Sequence, residues 1–199
     1  MILEDESVDL LVRLVRAARR CILCERYFNV TSRADDQFLT FSQNCFAELC
    51  VLHRSVIFGS DSENEKTRFK NVFSRADVIA VSNNLITVDS VRGDFLTAIN
   101  MNRTQYSKFW TKAHDMRNKF VAHRDDLIDV HLPDIEICKK QCGTILAPVA
   151  SLLHHSIQNG DEREKVETWY QYLINNGSEG GIELESERVI RIAAYLPNS

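Results

Sequence analysis

Asp115-Met116-Arg117-Asn118-Lys119-Phe120-Val121-Ala122-His123-Arg124-Asp125 falls in the second half of a helical pattern predicted over about residues 104–126. Phe109, Ala113, Met116, Phe120, His123 and Leu127 recur at alternating spacings of four and three, which draws one apolar stripe along that helix. The same stretch carries a fixed cation, an amide, a titratable imidazole, a second fixed cation and a carboxylate. Arginine clamps a phosphate bidentately, and histidine moves a proton near neutrality. Metal-free cleavage of a phosphodiester needs both functions. The bare Arg-to-His spacing recurs at Arg124/His131, so the weight falls on the surrounding residues.

The flanking chain also reads as helix. Val8, Leu11, Val12, Leu14, Val15, Ala18, Ile22 and Leu23 predict a first helix near 6–28. A second runs from about Asp36, with Phe38, Phe41, Phe46, Leu49, Val56 and Ile57 apolar, and Gly59 as its stop. A shorter helix is expected over 66–81, although its tail Val78-Ile79-Ala80-Val81 has strand character. Asp89 or Ser90 caps a short helix to about Met101, and Thr104 caps the motif helix. Pro133 opens the next helix, with Asp134 and Glu136 in its first turn. That helix is expected to reach Gln158 with a bend at Pro148, and Asn159-Gly160 ends it. The expected fold is all-α: an up-and-down bundle of four main helices with extra short helices over 1–160, then an acidic C-terminal extension over 161–199. In that extension, 161–175 reads as an acidic, aromatic helix, 176–181 as a Gly-containing break, and 182–196 as a final helix or an extended arm. The extension serves either a partner or its own domain, packing back on it.

Composition agrees with a helical domain. Of 199 residues, 44% are apolar and 26% charged, enough for a core and too apolar for a disordered chain. Only three Pro and seven Gly occur, which favours long helices over turn-rich β structure. No apolar run approaches the roughly 18 residues of a membrane span, so no membrane partner is expected. The start Met1-Ile2-Leu3-Glu4-Asp5-Glu6 is acidic where a secretory leader is basic, so a cytoplasmic location is expected. Cys21, Cys24, Cys138 and Cys142 are conceivable zinc ligands, but the blander reading of all six cysteines is small buried hydrophobes. The net charge of −4 is unevenly spread. Residues 13–33 carry a local balance of +5, residues 103–124 another +5, and residues 161–188 a balance of −5. Two basic helices of this kind form one anion-binding face if they lie together, and are otherwise ordinary solvated helix faces.

The order Arg117, Asn118, His123, with Arg124-Asp125 trailing, resembles the signature of the HEPN superfamily (higher eukaryotes and prokaryotes nucleotide-binding). Upstream, Ile57-Phe58-Gly59-Ser60-Asp61 closes a long apolar helix, and the basic, aromatic Arg68-Phe69-Lys70-Asn71-Val72-Phe73 follows. In this order the two features resemble the abortive-infection protein U branch, and the likeness spans roughly residues 10–160. It implies an up-and-down helical bundle, a homodimer with its site at the interface, and an endoribonuclease of a prokaryotic defence or toxin–antitoxin system. It also implies a nucleotidyltransferase-type antitoxin or another protein partner.

The expected chemistry follows from residue types. His123 takes the 2′-hydroxyl proton or protonates the leaving oxygen, Arg117 binds the scissile phosphate, and Asn118 orients His123 or a phosphate oxygen. Lys112, Lys119 and Arg124 hold flanking phosphates of the RNA. No metal and no cofactor are expected. Six residues separate Arg117 from His123, about 120° around a helix and about 9 Å along it. A two-fold pairing of motif helices solves that geometry, and the apolar stripe is a credible interface. His114, one to two turns upstream, is a weaker candidate for the same chemistry and reads first as a surface residue. The alternative is an inactive dimer of the same fold that binds nucleotides or proteins, and a core histidine at position 123 would accompany it. Absent Glu-x-x-His pairs, Gly-rich phosphate loops and a Gly-x-Ser-x-Gly elbow argue against metallohydrolases, nucleoside triphosphatases and serine hydrolases.

Overall fold

Apolar residues recur around nearly the whole circumference of the first helix, and that pattern belongs to a helix enclosed by others. The computed structural model describes residues 1–31, 37–59, 68–122 and 133–176. Among these residues it contains nine helices and no strand: α1 (Asp5–Thr31), α2 (Gln37–Phe58), α3 (Phe69–Phe73), α4 (Ala76–Val81), α5 (Val88–Ala98), α6 (Arg103–Ala122), α7 (Ile135–Gly143), α8 (Leu146–Gln158) and α9 (Glu164–Asn176). The chain is all-α in this sense. Helix α1 packs extensively on α2 and α7 and also meets α3 and α8, so Leu11, Leu14, Val15, Ala18 and Cys21 are sealed in the core. No helix among the described residues is long and apolar enough to cross a membrane.

The two long N-terminal helices match their expected spans to within a few residues. The region 66–81 does not form one helix. It breaks at Ser74-Arg75, where Arg75 takes an extended backbone and its guanidinium reaches Ser7, Glu4 and Glu6. Val78–Val81 is helical, the β-branched run yielding to a capped turn packed on α8. The expected caps also move. Thr87 caps α5 in a reciprocal box with Ser90, which stands third in the helix and not before it. Asn102 precedes α6 and exchanges 2.9 Å hydrogen bonds with Gln105, in place of the expected Thr104. The helix expected from Pro133 to Gln158 divides into α7 and α8 at Thr144–Ile145, and not at Pro148. Pro148 falls in the first turn of α8, where its missing N–H leaves no intrahelical bond unmade.

Cys21, Cys50, Cys138 and Cys142 meet in the core between α1, α2 and α7, with Cys21 Sγ 3.3 Å from Cys50 Sγ. Burial pushes Cys24 up to about 11 and also raises Cys142, which keeps both thiols protonated. Among the described residues no group of three or more His, Cys, Asp or Glu is placed to hold a metal ion. The thiols pack as small apolar side chains.

The described part of the C-terminal extension packs back on the domain. Helix α9 lies on α8. Its aromatic rings also meet the basic side of α1: Arg16 sits 5.3 Å above the Trp169 ring and Arg19 4.5 Å above Tyr172. Arg163 ties the junction by bonding Asp161, Asp5 and the Leu3 carbonyl. Among the described residues the two basic helices do not lie together as one face. Arg16 and Arg19 face α9, while α1 and α6 each pack on α2 without extensive contact between them.

Candidate functional site

Helix α6 positions every described residue of the motif. Phe109, Ala113 and Met116 are all buried, so this half of the expected stripe is core. It is not the exposed dimer interface that its aromatic and methionine content suggested, because α2 already covers α6. Phe120, His123 and Leu127 lie outside the residues whose side chains are described, as do Lys119 and Arg124. Arg117 is partly exposed and Asn118 exposed, both on the uncovered side of the helix. Lys112 is exposed too. It stands five residues before Arg117, about 140° around the helix, so the fold does not bring it to the same phosphate.

The uncovered side has an order that the stripe does not reveal. Trp110, His114 and Asn118 follow at intervals of four residues and so form one row along α6. Trp110 Nε1 donates to the Phe58 carbonyl at 2.9 Å, which pins the indole to the end of α2. The His114 ring stacks on that indole with centroids 4.8 Å apart and planes 18° from parallel. The Asn118 amide nitrogen stands 3.1 Å from His114 Nδ1. Asp115 Oδ1 is 4.0 Å from the same Nδ1. His114, the weaker candidate of the sequence, is thus a partly buried imidazole fixed between an indole and the motif amide.

Behind the row lies a buried cation. Arg54 on α2 is 1% exposed. Its Nε donates to Gln141 Oε1 at 2.9 Å, and Gln141 Nε2 donates in turn to the Tyr106 hydroxyl at 2.9 Å. The guanidinium lies 4.9 Å from the Phe109 ring centroid and 5.7 Å from that of Phe58, while one terminal nitrogen is buried without an acceptor. Burial raises the Tyr106 pKa, which keeps the phenol neutral. Nothing in the periodicity of α2 announces Arg54. The signal in the sequence is a charged residue amid the apolar Cys50-Val51-Leu52 and Val56-Ile57-Phe58 of α2. No family model, curated protein or solved structure matches this chain, and the reading of the site stands on its residues and their geometry.

Proposed function

We propose that the chain is a HEPN-type endoribonuclease that cleaves RNA without a metal, through a composite Arg/His site shared by two copies. The observation that carries this reading is the arrangement of α6. Its buried face fixes the helix, and its uncovered face presents Arg117 and Asn118 beside an oriented imidazole. Arg117 binds the scissile phosphate and offsets the charge that grows on it. The 2′-oxygen bonds to phosphorus as the bond to the 5′-oxygen breaks. A His123 imidazole accepts the 2′-hydroxyl proton and passes it to the departing 5′-oxygen. The products are a 2′,3′-cyclic phosphate and a 5′-hydroxyl. In this reading the core is the superfamily's up-and-down bundle, and Lys119 and Arg124 hold flanking phosphates.

Helix α2 also offers an association surface. Phe38, Phe41, Leu49 and Val56 stand exposed in one row along α2. Rows of exposed large apolar side chains of this kind mark association surfaces. The row lies on the side of α2 opposite Arg54, which faces α6, so it suits an association separate from the pairing that completes the Arg/His site. A prokaryotic defence or toxin–antitoxin role, with a nucleotidyltransferase-type partner, completes the proposal. The test is cleavage of single-stranded RNA in EDTA by wild type, Arg117→Ala, His123→Ala and His114→Ala, with end-group analysis. The expected outcome is cyclic-phosphate ends from wild type and losses of at least about a hundredfold in the first two variants. His114→Ala is expected to lose less, because it removes a positioning residue. Wild-type rates in the Arg117 and His123 variants overturn the proposal.

A further inference from the structure

A cavity of about 300 Å³ opens between α3, α5 and α6, away from the Arg117–Asn118 end of the motif helix. That volume lies at the lower end of the range for small-molecule sites, about 300–1,000 Å³. Its floor is aromatic. The rings of Phe58, Phe69 and Phe95 meet one another at 5.3–5.7 Å, Tyr106 adjoins Phe95 at 5.1 Å, and Trp110 closes one wall. Its remaining lining is cationic and polar: Arg68, Lys70, Arg92 and Ser107, with no carboxylate among the described lining residues. Arg68 is 5% exposed, so a guanidinium is built into the wall and not merely draped over it. Asp89 pairs with Arg92 at 2.7 Å, but its carboxylate is 86% exposed, which leaves a weak surface pair. The buried Arg54 guanidinium lies against the Phe58 ring and adds positive potential beneath the floor.

We infer that this cavity binds a nucleoside phosphate, with the base against the aromatic floor and the phosphate among Arg68, Lys70 and Arg92. Three cations around one pocket match a dianionic phosphate better than a single carboxylate. Flat heteroaromatic rings stack on aromatic side chains and on guanidinium planes without demanding a particular base. Trp110 belongs to both the cavity wall and the row that leads to Asn118. A bound base is therefore reported to His114 through the stacked indole. Trp110 and Arg117 are seven residues apart, about 10 Å along the helix axis. One nucleotide of a strand held here stands near the end where cleavage is proposed. Binding itself requires only the cavity and does not depend on the cleavage reading.

The experiment uses the full chain and its two tryptophans, Trp110 and Trp169. Trp169 lies under Arg16 on the α1–α9 side, so Trp169→Phe leaves Trp110 as the reporter. Emission is followed while adenosine 5′-monophosphate, uridine 5′-monophosphate, adenosine, inorganic phosphate or a short single-stranded oligonucleotide is added. The expected result is saturable quenching by both nucleotides. Adenosine and phosphate should bind at least roughly tenfold more weakly, the scale of one charge-assisted hydrogen bond. Lys70→Ala and Arg92→Ala, both outside the buried core, should each weaken the nucleotide by a similar factor with an unchanged helical circular-dichroism spectrum. His123→Ala should bind as the parent does, which separates this inference from catalysis. Tighter binding of the oligonucleotide assigns the pocket to strand RNA, and equal or tighter binding of the monophosphates assigns it to free nucleotides. No saturable change with any nucleotide, or parent-like affinity in both cation variants, overturns the inference.

Discussion

Arg54 shows how a single residue escapes a periodic reading. A charged side chain in α2 would ordinarily be placed on the solvated face, yet here two aromatic rings and one amide oxygen hold it inside. By contrast, the burial of Phe109, Ala113 and Met116 was legible from their spacing alone. The polar row beside them was not, because four-residue spacing of Trp, His and Asn carries no hydrophobic signal. The buried amide gives a sharp prediction. Gln141→Leu keeps the volume but leaves Arg54 Nε without its acceptor, and should lower unfolding free energy by about 2–3 kcal/mol in urea titration. Equal stability would mean that the aromatic faces alone solvate the guanidinium.

At the level of elements, the long helices were readable and their punctuation was not. Apolar periodicity extends over many residues, so α1 and α2 emerge from it with nearly correct bounds. A break such as Ser74-Arg75 depends on what Arg75 reaches sixty-eight or more residues away along the chain, and no local pattern contains that. The same distinction applies to α2's outer side. Apolar spacing does not tell which of its residues turn outward, and Phe38 and Phe41 are 62% and 66% exposed. Association through that surface predicts that Phe41→Glu lowers the oligomeric state in sedimentation or light-scattering measurements without loss of helical content. An unchanged oligomeric state in this variant would remove α2 from the interface.

The whole molecule is closed by charge as well as by apolar packing. Asp161 is sealed at the α8–α9 junction, where Arg163 and Ser156 hydrogen-bond its carboxylate and lower its pKa to about 2, led by the Arg163 bonds. A carboxyl group with a folded pKa below its unfolded value of about 3.9 stabilises the fold above that value. The contribution, on the order of 2 kcal/mol, is lost as pH falls from about 4 toward 2. Asp77 is shifted the same way: burial opposes ionisation, but Ser7, the Glu4 N–H and Arg75 together overcome it. The wild-type urea midpoint should therefore drop across that window, and Asp161→Asn should be weaker at pH 7 with a shallower acid response. Parallel profiles would show that the junction pair contributes nothing to stability. Charge counting along the chain anticipated the acidic helix and the basic one, but not that α9's aromatic rings would lie on α1.

The most direct test of a shared Arg/His site is RNA cleavage in EDTA by an equimolar, re-equilibrated mixture of Arg117→Ala and His123→Ala proteins. Each variant alone should be inactive, and the mixture should regain a measurable fraction of wild-type cleavage, because mixed dimers again hold one arginine and one histidine in a common cleft. Cleavage by either variant alone at the wild-type rate, or a mixture that forms dimers and stays inert beside an active wild type, would contradict a site built by two copies of α6.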